Sequence, residues 1–507
     1  MNYYLCLDYG GTTTKAIIFD DCGEEISVSS FATKRKEVES GFYEVDLGET
    51  WTAIAHTIRE SIRLSGLDAA AIKAVACIGH GKGLYVLDKE HHEFIPGILS
   101  ADSRASALAQ EFENRVSLLW NRTHQHVVAS QAPVLLRWLK DHQPEIYERI
   151  GAVLSAKDYV RFKLTGLVQQ EIGDASGNHW IHFETGNYDP TILEFFGIDE
   201  LFSILPPLVD YKEIVGGVSQ EAALQTGLAE GTPVIGGLFD IDACALGSGV
   251  LDETTFSVIA GTWNINSYPS KKAANLDSGL MNSYFPTGDY LVEASSPTSA
   301  GNLDIMLKML LMEEMEHLKG GDVSIYDTLE VFLKETNADF ANILFCPFLY
   351  GSNVGQPAQA CFFGLTTQSS KSEMIRAVYE GIVFAHKQHI EQLTDSLGHS
   401  PQVLRLSGGG TNSEAWMQMF ADILELPVEV PKARELGGLG GAIACHQAVT
   451  NLSLAETVER MVVLEKQFLP NDRNSKRYRE KYTVYKELLI AMQPVWKQLT
   501  TLRRKES

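Results

Sequence analysis

Cysteine is scarce in this chain. Only seven occur in 507 residues (Cys6, Cys22, Cys77, Cys244, Cys346, Cys361 and Cys445), scattered and without a C-x-x-C pair. An odd number, several inside apolar stretches, argues against a disulfide framework or a structural zinc site and for reduced thiols in a cytoplasmic protein. Positive charge is also short: 42 Lys+Arg face 65 Asp+Glu, a formal net charge of -23. Such a field repels nucleic acid and anionic lipid. No basic patch offsets it, and Arg503-Arg504-Lys505 reads as a solvated tail. No run of 18 apolar residues is present, so no membrane-spanning helix is expected. The first residues carry no basic segment ahead of an apolar core, so no signal peptide is expected. The phosphate loop G-x-x-x-x-G-K-[ST] is missing, as is the G-x-G-x-x-G fingerprint that a dinucleotide-dependent oxidoreductase would need. His91-His92, His124/His126 and His386/His389 lack Cys or carboxylate partners at ligand spacing, which argues against a metal centre built on histidine.

What is present is an ordinary globular composition, 45% hydrophobic and 21% charged, which excludes disorder, collagen and coiled coil as the main architecture. The length suits two large domains. Three strands over 3–7, 16–19 and 26–31, a helix over 47–64 and a strand over 74–78 make an α/β pattern. Residues 105–230 are less legible, with helical segments over 106–119, 134–142 and 157–164 and turn-rich stretches at 173–178 and Pro206-Pro207. A second strand–turn–strand begins near residue 254. It is followed by a helix over 371–397, a strand over 403–406, a helix over 413–424 and a further helix over 442–449. The halves look alike, so an internal duplication is expected, with domains over 1–248 and 249–507 and a helical tail.

Several segments could carry chemistry. In Asp8-Tyr9-Gly10-Gly11-Thr12-Thr13-Thr14-Lys15 a strand ends in a carboxylate, a glycine turn exposes N–H groups, and hydroxyls and an ammonium follow. A polyphosphate needs such donors, and a neighbouring carboxylate can hold Mg²⁺ through water. A plain hairpin turn explains the same residues equally well. Gly261-Thr262 repeats the turn in the second half. Asp240, just past an apolar strand, could take a proton from a substrate hydroxyl or simply cap a helix. Gly79-His80-Gly81-Lys82-Gly83 puts polar groups on flexible backbone. Asp102 and Arg104 could bridge vicinal hydroxyls, or form a helix-entry cap and a surface ion pair. Gly408-Gly409-Gly410-Thr411-Asn412, between a strand and a helix, lets a ligand approach the backbone closely. The run 437–441 does likewise, or allows close helix packing.

Taken together and in this order, the segment Asp8–Lys15, Gly236-Gly237-Leu238-Phe239-Asp240, Gly261-Thr262, Ser407–Ser413 and Trp416-Met417-Gln418-Met419-Phe420-Ala421-Asp422 resemble the FGGY family of carbohydrate kinases. The resemblance runs from residue 3 to about 450. It implies two duplicated actin-like, ribonuclease H-like α/β domains with a cleft between them. It also implies ATP and Mg²⁺, a small sugar substrate, a cytoplasmic location, and no nucleic-acid or membrane partner; a homodimer is compatible with it. By the same resemblance Asp240 is the catalytic base, and Asp8 positions Mg²⁺. Gly10, Gly11, Thr12, Thr13 and Lys15 form the first phosphate turn, with Gly261 and Thr262 the second. Gly301, Gly408, Gly409, Gly410 and Asn412 lie on the ATP side, while His80, Gly81, Lys82, Asp102 and Arg104 lie where the family binds sugar. Gly81-Lys82-Gly83-Leu84, Leu99–Arg104, Ser296–Leu303 and Pro347–Asn353 look most like the L-xylulose (3-keto-L-gulonate) kinases of the family. Other ketoses or polyols such as L-ribulose, D-xylulose or glycerol remain alternatives, as does a non-catalytic ATP switch of the actin/Hsp70 type.

Overall fold

The computed structural model describes residues 2–318, 325–339, 342–355 and 358–503. Arg504 and Lys505 of the basic tail lie outside the described residues. The elements that matter for function, in chain order, are β1 (Tyr3–Tyr9), β2 (Thr13–Asp20), β3 (Glu25–Ala32), α1 (Leu47–Ser65), β4 (Ile72–Gly79), β5 (Ile214–Gly217), β6 (Pro233–Ile235), β7 (Leu238–Phe239), α2 (Asp240–Gly247), β8 (Thr255–Ala260), β9 (Asn264–Ser270), β10 (Tyr290–Ser296), α3 (Ala300–Leu310), α4 (Lys371–Leu397), β11 (Val403–Ser407), α5 (Glu414–Leu424), β12 (Val428–Pro431), α6 (Leu436–Val449) and β13 (Leu464–Phe468).

The chain divides into two compact units. One comprises Met1–Leu251, Pro269–Val292 and Glu435–Val463; the other comprises Asp252–Tyr268, Glu293–Arg434 and Leu464–Ser507. The boundary expected at 248/249 falls beside the first crossing, but the units are not two successive halves. The chain returns twice to the first unit. The second return has a clear cause: α6 is buried from Leu436 to Gln447 without a polar face, and the apolar surfaces it covers belong to β1, β2 and β4.

In the first unit the sheet order is β5-β6-β4-β1-β2-β3, with β7 also pairing to β4. β1 is antiparallel to β2 and parallel to β4. β4, IKAVACIG, is buried at every position but Lys73, as a strand covered on both faces must be. α1 is amphipathic. Asp46 caps it by accepting from the Glu49 N–H, and Gly66 ends it in the left-handed region at φ 67°. Its buried face, Trp51, Ile54, Ala55 and Ile58, packs into one cluster with Leu5, Leu7, Ile18 and Val75.

In the second unit the strands run β10-β9-β8-β11-β12-β13. β8 is antiparallel to β9 and parallel to β11, β12 is parallel to β11, and β13 is antiparallel to β12. These pairings repeat those of β1 with β2 and β4, of β6 with β4, and of β5 with β6. The expected duplication is therefore present at the level of strand order and direction.

Three local expectations are corrected. The helix over 106–119 is broken: Ser106–Glu113 is helical, and a separate 3₁₀ turn follows at Val116–Leu118. The turn-rich stretch at 173–178 contains a helical turn, Ile172–Ser176, capped by the Glu171 carboxylate. The glycines 437–441 lie inside α6 rather than ahead of it. They make that helix fit. A Cβ on Gly440 would stand 2.0 Å from the Ala243 carbonyl oxygen of α2, and one on Gly441 would stand 2.5 Å from Ile78 of β4. Gly247 of α2 in turn lies where a Cβ would be 2.0 Å from the Leu436 carbonyl oxygen. Each helical glycine costs about 1 kcal/mol relative to alanine. The close crossing of two helix backbones over the sheet offsets that cost through packing.

Candidate active site

The first unit gathers its candidate residues at the carboxyl ends of three parallel strands, where ligands bind in open α/β sheets. β4 is the middle strand. Asp8 of β1 and Leu238 of β7 both register with Ile78, and Tyr9 and Phe239 both register with Gly79. Asp8 and the first turn therefore leave on one side of β4, the His80–Gly83 loop continues β4 itself, and Asp240 leaves on the other side. Asp240 is the first residue of α2, with Phe239 in the cap position. It is not the helix cap that its sequence context also allowed; its Oδ1 accepts from the Ile241 N–H at 2.8 Å, which orients the carboxylate.

The turn after β1 is tight: the Gly10 N–H donates to the Thr13 carbonyl at 3.1 Å. A Cβ on Gly10 would meet that oxygen at 2.6 Å. Thr12 is exposed at the tip, whereas Thr14 is buried and shares a 3.3 Å hydrogen bond with Thr33. Lys15 stands opposite Asp8 across the β1–β2 pair. Its ammonium donates to both oxygens of Glu435, at 2.9 and 2.6 Å. Glu435 escaped the reading of the sequence. Only the return of the chain to this unit brings it here, and its position beside the glycine run was the one available signal. Burial pushes the Asp8 carboxyl up to about 6; the Lys15 charge opposes the rise and Glu435 adds to it. Cys244 of α2 completes this corner. Burial raises its thiol well above the usual range, and the charges of Asp8, Asp240 and Glu435 act in the same direction. It is therefore held as a neutral thiol.

His80 is buried, and burial pushes it down to about 4, so its ring is neutral at physiological pH. Its Nε2 lies 3.0 Å from the Tyr85 hydroxyl, which donates to the Tyr9 hydroxyl at 3.2 Å. A hydrogen-bonded chain thus ties the β4 loop to the residue that follows Asp8. The loop rests on Phe239: a Cβ on Gly81 would overlap that ring at 2.1 Å. Lys82 and Gly83 both adopt positive φ, 64° and 79°.

Asp102 and Arg104 come together, but as an internal lock and not as a helix cap or a surface pair. Their side chains are 0% and 3% exposed. The Arg104 Nε donates to both Asp102 oxygens, at 3.0 and 3.1 Å, and its Nη2 donates to Glu44 at 2.8 Å. The Tyr43 N–H donates to Asp102 at 2.7 Å, and the guanidinium lies 4.6 Å from the Phe42 ring centroid. The pair fastens the loop around 99–104 to the strand Phe42–Val45.

The second unit assembles the other candidates around the β8–β9 turn. A Cβ on Gly408, which has φ 97°, would stand 2.7 Å from the Ala260 carbonyl oxygen and 3.1 Å from the Gly261 nitrogen. The Ala300 N–H donates to the Gly261 carbonyl at 2.8 Å. A Cβ on Gly301 would meet the Thr262 carbonyl oxygen at 3.0 Å. Gly261, Thr262, Gly301 and Gly408 are thus one backbone-lined surface. Gly409–Asn412 forms a single 3₁₀ turn beside it, with Asn412 donating to the Gly409 carbonyl at 3.2 Å. Among the described residues no group of three His, Cys, Asp or Glu side chains forms a metal cage, and no helix is long and apolar enough to cross a membrane.

The chain matches the N-terminal domain of the FGGY family of carbohydrate kinases over residues 3–247 and the C-terminal domain over residues 256–449. A probable L-xylulose kinase of Pasteurella multocida is 34% identical over 496 residues, covering 97% of this chain and 99% of the relative. The L-xylulose/3-keto-L-gulonate kinase of Escherichia coli is 32% identical, with 97% of each chain covered. The solved xylulose kinase of Lactobacillus acidophilus, 21% identical, shares the fold at a TM-score of 0.88 over 98% of this chain and 100% of its own. With both family domains matched in order and relatives above 30% identity along nearly the whole length, the protein belongs to the FGGY family of carbohydrate kinases and is an ATP-dependent sugar kinase.

Proposed function

We propose that this kinase transfers the γ-phosphoryl group of ATP to a hydroxyl of a small ketose of the L-xylulose or 3-keto-L-gulonate class. The observation that carries this reading is the convergence of Asp8, His80 and Asp240 at the carboxyl ends of adjacent parallel strands, beside a glycine turn rich in phosphate donors. The names of relatives at 32% and 34% identity supply the substrate class.

In this reading Asp240 takes the proton of the sugar hydroxyl as that oxygen attacks the γ-phosphorus. The new O–P bond forms while the bond to the β-phosphate oxygen breaks, and ADP leaves with that electron pair. The protein's contribution is alignment and charge placement. The turn Gly10–Thr13 supplies N–H and hydroxyl donors, and Lys15 an ammonium. In the second unit, Gly261, Thr262, Gly301, Gly408–Gly410 and Asn412 are the residues proposed to bind ATP. His80, neutral and fixed through its Nε2 by Tyr85, lines the sugar position with Gly81 and Lys82. Asp102 and Arg104 support the wall behind it.

Asp8 fits a magnesium ion. Mg²⁺ keeps most of its water and takes one or two carboxylates together with substrate phosphates, so a single half-buried carboxylate beside the phosphate turn is a suitable donor. Such an ion would neutralise charge on the phosphates. A cytoplasmic setting suits the seven unpaired cysteines.

The test is ADP release from purified enzyme with MgATP over L-xylulose, 3-keto-L-gulonate, D-xylulose, L-ribulose and glycerol. Turnover dependent on the first two, and lost in Asp240→Asn, is expected. No sugar-dependent ADP release, or equal release from the Asp240→Asn variant, overturns the reading.

A further inference from the structure

We propose that Lys82 is the residue that recognises a carboxylate on the sugar, so that this enzyme accepts an anionic ketoaldonate as well as a neutral ketose. The inference rests on the function proposed above and names a specificity-determining residue within it.

Four observations converge on Lys82. First, it lies in the loop that continues β4 toward the substrate side, and that loop rests on the Phe239 ring, one residue before Asp240. Second, its backbone is held at φ 64°, between Gly81 and the positive-φ Gly83. A side chain other than glycine's is disfavoured there, so a lysine at this point needs a reason in its head group. Third, the ammonium has no carboxylate partner among the described residues; it contacts the Met281 thioether sulfur at 3.9 Å. The other cations of this region are committed internally: Lys15 to Glu435, Arg104 to Asp102 and Glu44, and Lys157 to Asp158. Fourth, the protein carries a formal net charge of -23. That field opposes entry of an anionic sugar unless a local cation meets it.

The surroundings suit an anion. His179, buried nearby, is pushed down to about 4 by burial, with the Lys82 charge acting in the same direction. It is therefore neutral and does not compete for the anion. A half-buried ammonium without a counter-ion gains most from a carboxylate that arrives with the substrate, because a charge-assisted hydrogen bond there forms in a lowered dielectric. A neutral ketose gains no such term.

The test compares kcat/KM for 3-keto-L-gulonate and for L-xylulose in the wild-type enzyme and in Lys82→Met, Lys82→Arg and Lys82→Gly. The ratio of acid to neutral substrate is expected to fall about 10- to 100-fold in Lys82→Met, the size of one hydrogen bond to a charged group. Lys82→Arg should restore much of it. Lys82→Gly relieves the backbone and removes the charge, so it should reproduce the Lys82→Met ratio with folding secured. A ratio unchanged in Lys82→Met and Lys82→Gly overturns the proposal, as does a wild-type enzyme that uses L-xylulose but not the acid. Failure of the wild type on both sugars would instead count against the function itself.

Discussion

The ammonium of Lys15 is gripped by both carboxylate oxygens of Glu435, at 2.9 and 2.6 Å, across 420 residues of chain. Asp8 stands opposite Lys15 on the neighbouring strand; burial pushes its carboxyl up to about 6, the Lys15 charge opposes the rise, and Glu435 adds to it. A pH dependence follows. Below pH 6 Asp8 is protonated in the free enzyme and poorly suited to a metal ion, so kcat/KM for MgATP should fall on the acid side with an apparent pKa near 6. In Glu435→Gln a negative charge is lost and Lys15 is released toward Asp8, so the acid limb should move to lower pH. A pH profile of kcat/KM for ATP in both enzymes checks this; an unmoved limb would remove Glu435 from the account.

The same group bears on stability. The folded pKa of Asp8 lies above its ordinary value of 3.8, so the fold favours the protonated form. Its contribution is most favourable below pH 4 and declines as pH rises through about 6. Asp8→Asn should therefore be at least as stable as the wild type at pH 8 while losing activity. Thermal unfolding at pH 5 and pH 8 would show it.

Asp240→Asn should lower kcat by about 10²–10⁴-fold, the usual size of general-base help, with folding intact because the residue starts a helix without capping it. Near-normal turnover in a well-folded variant would exclude Asp240 as the base.

Tyr85→Phe removes the hydroxyl that joins His80 to Tyr9. A buried imidazole nitrogen then loses its partner, which costs about 1–3 kcal/mol of stability. The KM for sugar should rise while that for ATP stays close to the wild-type value. Equal changes in both would mean that the chain of hydrogen bonds serves the unit as a whole rather than His80.

Gly440→Ala places a methyl 2.0 Å from the Ala243 carbonyl oxygen in α2. The two helices must separate, at a cost of about 1–3 kcal/mol, and the start of α2 carries Asp240 with it. Activity should fall along with the unfolding midpoint. Gly288→Ala, where nothing lies within 4 Å but φ is 87°, gives a control in which strain is local to a turn.

The sequence by itself determined the strand–turn–strand units at 3–19 and 255–268, the long helices at 47–64 and 371–397, and the identities of Asp8, His80 and Asp240 as candidates. These depend on hydrophobic period and on glycine placed at turns, both local properties. Tertiary structure alone decided the rest. Whether Asp102 and Arg104 face a ligand or one another depends on what packs over them, and the ring of Phe42 and the carboxylate of Glu44 turn them inward. Whether Gly437–Gly441 cradle a ligand or a helix depends on the distance to α2, which no spacing along the chain encodes. Glu435 reaches Lys15 because the helix that follows it, buried from Leu436 to Gln447, must be covered, and the surfaces able to cover it lie on strands from the other end of the sequence. Local pattern specifies elements; the partner of each buried face is settled by which surfaces exclude water best together, and that is a property of the folded whole.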